Sequence, residues 1–120
     1  MWKVIFFFSI LIAAPFALWA QTPSFTLDHN VFNPSVNGKV TLTFQTDYDG
    51  PGSLSVYDTA GELVAVLFPK DGSNEVEANH FYSVTWDGKN DAGHTVASGV
   101  YLFHLSLKLG SYEKRLVVLM

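Results

Sequence analysis

Residues 40 to 45 read Val-Thr-Leu-Thr-Phe-Gln, apolar and polar in strict alternation. A period of two puts Val40, Leu42 and Phe44 on one face of a pleated strand and the threonines on the other. The same period recurs through most of the chain beyond residue 21, where no window sustains the 3.6-residue period of a helix. Strands are expected at 25–32, 39–46, 53–58, 62–68, 80–86, 99–109 and 112–120, the fifth marked by Phe81, Val84 and Trp86. Turn formers at 69–73 separate the fourth from the fifth. About seven short strands in roughly one hundred residues predict an all-β fold, an immunoglobulin-like antiparallel β-sandwich, with a closed barrel as the alternative.

Turn chemistry specifies two hairpins. Asp58-Thr59-Ala60-Gly61 has Asp at the first and Gly at the fourth position of a type I turn whose glycine takes the left-handed conformation of a bulge. The resulting loop sets Val56 opposite Val64 and Leu54 opposite Val66. Leu109-Gly110-Ser111-Tyr112 fits a two-residue loop with Gly at its first central position. That loop sets Leu109 opposite Tyr112, Leu105 opposite Leu116, Phe103 opposite Val118 and Tyr101 opposite Met120. On the other face Lys108 meets Glu113 and Leu102 meets Leu119. This hairpin is expected near the middle of the structure.

The most distinctive stretch runs Trp86-Asp87-Gly88-Lys89-Asn90-Asp91-Ala92-Gly93 and continues to Val96-Ala97-Ser98-Gly99-Val100-Tyr101. It closely resembles the WDG-x-N-x-x-G … V-x-S-G-x-Y signature of the FlgD-type Ig-like domain. That module is named for the flagellar hook-capping protein and is found at the C-termini of large exported bacterial proteins. Upstream, Phe32-Asn33-Pro34-Ser35 resembles the family's FNPS opening. Val56-Tyr57-Asp58-Thr59-Ala60-Gly61-Glu62-Leu63-Val64 resembles its VYD-x-x-G-x-x-V hairpin. The resemblance covers 32–120 and implies an Ig-like sandwich. The same pattern shades into the sorting domains that direct proteins to the type IX secretion system. In physical terms the signature is mostly structural. Trp86 offers a large ring whose indole N–H needs a partner. Gly88, Gly93 and Gly99 supply backbone conformations closed to other residues. Asp87, Asn90 and Asp91 fix turns by bonding nearby amides.

Composition changes the picture at the N-terminus. Residues 1–20 carry one early positive charge at Lys3, an apolar run, a break at Pro15 and small alanines at 17 and 20. That order predicts a cleaved secretory signal peptide, leaving a single domain at 21–120. The rival is an uncleaved anchor at the lower length limit for a membrane span. Of the seven basic residues only Lys3 lies in this segment, so the rest of the chain sets six against eleven acidic residues. Such a surface is not expected to bind nucleic acid, whose phosphates require clustered Lys and Arg. The absence of Cys excludes disulfides, thiol nucleophiles and thiolate metal sites.

Candidate chemistry is sparse. Asp87, Asn90 and Asp91 could ligate calcium, as could Asp47 and Asp49, yet neither cluster has the spacing of a dedicated loop, so turn capping is the favoured role. His29, His80, His94 and His104 show no paired spacing for a metal. Neither a nucleophile elbow nor a phosphate-cradling glycine loop is present. The expectation is a non-enzymatic, cofactor-free exported module that binds an envelope or surface protein through loop tips and strand edges, touching the membrane only during export. The alternatives are a carbohydrate-binding module, with Tyr48, Tyr57, Tyr82 and Tyr112 as stacking platforms, and a detached type IX sorting domain.

Overall fold

The structure is a computed structural model that describes residues 24–70 and 73–120. The expected signal peptide at 1–20 lies outside the described residues. The elements run in the order β1 (Ser24–Leu27), β2 (Val31–Phe32), α1 (Pro34–Asn37), β3 (Val40–Gln45), β4 (Gly50–Pro51), β5 (Ser53–Asp58), β6 (Leu63–Phe68), β7 (Glu75–Val76), β8 (Tyr82–Trp86), β9 (Gly99–Leu107) and β10 (Gly110–Val118). They form a three-stranded sheet β1-β3-β8, a five-stranded sheet β2-β10-β9-β5-β6 and a small ribbon β4-β7. The two larger sheets pack face to face as an Ig-like sandwich, not as a closed barrel. Between them lie Phe32, Val40, Leu42, Phe44, Leu54, Val56, Phe103, Leu105, Leu116 and Val118, all fully buried.

The expected first strand is two strands. β1 pairs antiparallel with β3, and the chain then crosses to the other sheet, where β2 runs parallel to β10. Asp28 secures the crossing: its N–H donates to the Thr41 carbonyl (3.1 Å) and its carboxylate accepts the Thr41 N–H (2.9 Å). Burial alone would raise the Asp28 pKa, but the Thr41 amide and the neighbouring His29 outweigh it and hold the carboxyl below its ordinary value.

Both hairpins depart from their expected registers. In β5–β6 the turn forms with Gly61 at φ +83°, and the Asp58 carboxylate accepts the N–H groups of Ala60 and Glu62. Tyr57 faces Leu63, but register shifts beyond it set Val56 opposite Ala65 and Leu54 opposite Phe68. Each bulge advances β6 by one residue, so Ala65 and Leu67 enter the core in place of Val64 and Val66. In β9–β10 the loop is Lys108-Leu109. Leu105 faces Tyr112, Phe103 faces Lys114, Tyr101 faces Leu116 and Gly99 faces Val118. An even slip keeps every side chain on its own face, so the alternation alone does not choose between the two registers. The choice is tertiary: the observed register brings Val117 and Val118 alongside Val31 and Phe32 of β2. The expected Lys108–Glu113 pair is replaced by Glu113 beside His104 at 3.6 Å, Leu102 faces Arg115, and Leu109 is 64% exposed.

β9 is the middle strand of the five-stranded sheet, flanked by β10 and β5. The backbone amides of Phe103 and Leu105 are therefore expected to be among the slowest to exchange with deuterium. Exchange as fast as in the turns would contradict their central position.

The fifth expected strand is shorter and shifted in phase. Tyr82, Val84 and Trp86 turn towards the core while Phe81 is 62% exposed. The preceding segment adds β7, whose buried Val76 packs so closely on Gly52 that a Cβ there would lie 2.5 Å from its Cγ2.

Candidate functional site

Two motifs some fifty residues apart meet at one corner of the sandwich. Asn33 caps α1 by accepting the Ser35 N–H at 2.9 Å, which presents Phe32 and Pro34 to the turn after β8. Gly88 sits there at φ +82°, where a Cβ would lie 2.7 Å from Pro34 Cγ and 3.2 Å from Phe32 Cε2. Both conditions require glycine. Trp86 is buried, its ring 6.3 Å from Phe32, 5.8 Å from Tyr101 and 5.6 Å from Phe103 between centroids. Its indole N–H donates to the Lys89 carbonyl at 2.9 Å, which closes the turn beneath the ring. Tyr101 donates its hydroxyl to the Ala97 carbonyl at 2.7 Å; burial, and next to it the Asp58 carboxylate, pushes its pKa up and keeps that donor protonated. Ser98 reaches the other way, its Oγ accepting the Met120 N–H at 3.1 Å, beside Gly99 at the head of β9.

The three residues considered for calcium are turned onto backbone. Asp87 accepts the Lys89 N–H at 3.1 Å, and Asn90 Oδ1 accepts both Ala92 and His94 N–H at 3.0 Å. Gly93, at φ +87°, donates back to the Asn90 carbonyl. Asp91 reaches across to β6, donating its N–H to the Val64 carbonyl (3.1 Å) and accepting the Val66 N–H (3.2 Å). In the second cluster Asp49 accepts the Ala78 N–H at 2.7 Å. With an oxygen of Asp87, Asn90, Asp91 and Asp49 already bonded to an amide, neither millimolar calcium nor a chelator is expected to move the melting temperature. A calcium-dependent rise would restore the metal reading. Among the described residues no three histidine or carboxylate side chains converge as a metal site.

The comparisons with known proteins bear on this corner. The model of the FlgD Ig-like domain matches residues 28–111, a span that holds the FNPS-like opening, the β5–β6 hairpin and the Trp86 turn. The chain belongs to the FlgD Ig-like domain family. Two solved structures share the fold of this FlgD Ig-like domain. One is PorZ, described as a bacterial surface component of the type IX secretion system of Porphyromonas gingivalis. It has 22% identity and a TM-score of 0.54, over 81% of this chain and 12% of that one. The other is dimeric latent PorU from Porphyromonas gingivalis, at 17% identity and a TM-score of 0.57, over 82% of this chain and 9% of that one. The chain thus spans about a tenth of either. No curated protein matches it.

Beside the corner, the FlgD Ig-like domain carries an open cleft of about 400 Å³. Lys39, Lys70, Lys89, Asp87 and Asp91 line it above Leu67, Thr85 and Trp86. The lysines come from three separate loops, and nothing in their spacing announces the meeting. The four tyrosines do not form a row. Tyr82 stacks on Phe44 at 5.2 Å and its hydroxyl accepts the Glu77 N–H, while Tyr57 packs on His104. Tyr48 and Tyr112 alone come together, with Leu109, around a small recess of about 40 Å³ at the far end.

Proposed function

We propose that this domain is an exported, non-enzymatic protein-binding module of the bacterial envelope or cell surface. One observation carries the reading. The polar side chains at the centre of the signature, Asp87, Asn90, Asp91 and the Trp86 indole, each bond the domain's own backbone. A motif spent in this way builds a rigid scaffold and leaves recognition to exposed edges and loops. PorZ, one of the solved structures that share the fold, is described as a surface component of a secretion system, which supports an assembly role in the envelope. The acidic balance of the chain beyond Lys3 agrees with a protein partner in preference to nucleic acid.

The test is affinity capture of the tagged full chain after crosslinking in its native envelope. A discrete protein recovered in near-stoichiometric yield is the expected result, and recovery of none would overturn the reading. Glycan binding abolished by Tyr48→Ala, the tyrosine exposed to 53% at the far-end recess, would replace it with carbohydrate recognition.

A further inference from the structure

Among the described residues one side of the sandwich is open. β6 ends the five-stranded sheet and β8 ends the three-stranded sheet. The two edges border adjoining recesses of about 400 and about 380 Å³ that share Leu67, Lys70 and Thr85. On the other side the chain itself bridges the sheets between β1 and β2. An open edge invites a further strand unless something covers it. The β6 edge is covered, since Asp91 bonds the outward carbonyl of Val64 and the outward N–H of Val66.

The β8 edge is different. Thr41 spends its backbone N–H and C=O on Asp28, facing β1, so by alternation Leu42 and Phe44 spend theirs on β8. Their partners Val84 and Tyr82 face β3, which turns the backbone groups of Ser83 and Thr85 outward. Both residues are exposed and line the recesses, and no bond to their outward amides forms among the described residues.

Charge selects the occupant. Lys39, Lys70 and Lys89 are half of the six basic residues beyond Lys3, gathered at one cleft of a chain with formal charge −4. Asp87 and Asp91 reach the same cleft, each with one oxygen held by an amide, so lysines exceed carboxylates along it by three to two. A second copy pairing β8 with β8 would offer the lysines no carboxylate from that strand, which reads Tyr-Ser-Val-Thr-Trp. We infer that β8 accepts an extended acidic segment of another protein as a fourth strand of its sheet. Ser83 and Thr85 supply the backbone rungs, and the three lysines meet the incoming carboxylates. This deepens the protein-binding reading above and rests on it.

The test uses the purified full chain and a fluorescent heptapeptide alternating glutamate with valine. Comparators are a lysine–valine peptide and a glutamate–valine peptide N-methylated along one edge. Saturable binding of the acidic peptide is expected, weakened by added salt and abolished by N-methylation on the edge that meets β8. Ser83→Pro is expected to weaken it at least about ten-fold without lowering the melting temperature, because proline is tolerated where a strand N–H faces away from its ladder. Lys70→Glu with Lys89→Glu should transfer the preference to the lysine peptide. Should Ser83→Pro fail to fold, the N-methylated peptide carries the test. Binding that ignores both N-methylation and Ser83→Pro, that ignores peptide charge, or that never occurs overturns the inference. An envelope partner captured equally by wild type and Ser83→Pro overturns the edge alone and leaves the protein-binding reading standing. Capture of no partner overturns both.

Discussion

Trp86→Ala is expected to remove a large part of the stability of the domain. The ring is buried against Phe32, Tyr101 and Phe103, and truncating a buried tryptophan costs about 3–5 kcal/mol in transfer and cavity terms. A domain of this size has a total of about 5–15 kcal/mol, and without disulfides nothing restrains its unfolded chain. The melting temperature should fall by roughly 15 °C or more. Trp86→Phe keeps an aromatic ring and loses the indole N–H that closes the turn on Lys89, so its loss should be clearly smaller. Urea titration of the two variants checks the order. A loss under about 1 kcal/mol for Trp86→Ala, which is the size of a single hydrogen bond, would contradict the central placing of the ring.

Gly88→Ala is the second large effect. Two costs add: a left-handed backbone carries about 1–2 kcal/mol for any residue with a Cβ, and forcing that Cβ against Pro34 is overpacking at about 1–3 kcal/mol. Gly61 supplies an internal control, since it has nearly the same φ and nothing within 4 Å of its Cβ position. Gly61→Ala should therefore show the backbone cost alone. In a Pro34→Ala background, which removes the contacting Cγ, the penalty of Gly88→Ala should fall towards the Gly61→Ala value. Equal penalties at Gly88 and Gly61 in the wild-type background would mean that the two motifs do not press on each other.

How much of this was legible in the sequence follows from the range of each interaction. The alternation at Val40, Leu42 and Phe44 is a local property of a strand with one wet face, and those three side chains are fully buried. The Asp58–Gly61 turn is likewise local chemistry, and it holds its register as far as Tyr57–Leu63. Beyond that pair β6 responds to Asp91, 25 residues away from Val66, and no pattern within the hairpin carries that information. The β9–β10 slip is of the same kind, because period two is blind to even shifts and only the parallel contact with β2 separates the alternatives. The crossing at Asp28 was hidden because 25–32 reads as continuous strand, although the chain must change sheets within it. For the candidate site, the turn-forming residues were readable by type. The convergence of Lys39, Lys70 and Lys89 and the outward rungs of Ser83 and Thr85 depend on sheet order, which strand patterns do not specify.

In the proposed function the signature braces a scaffold whose open β8 edge engages another protein. Its most direct test is a photoreactive residue at position 83, with position 26 on the exposed face of β1 as control, activated in the native envelope. A discrete adduct with one protein from position 83, absent from position 26, is the predicted result. No adduct from position 83, or the same adducts from both positions, would contradict it.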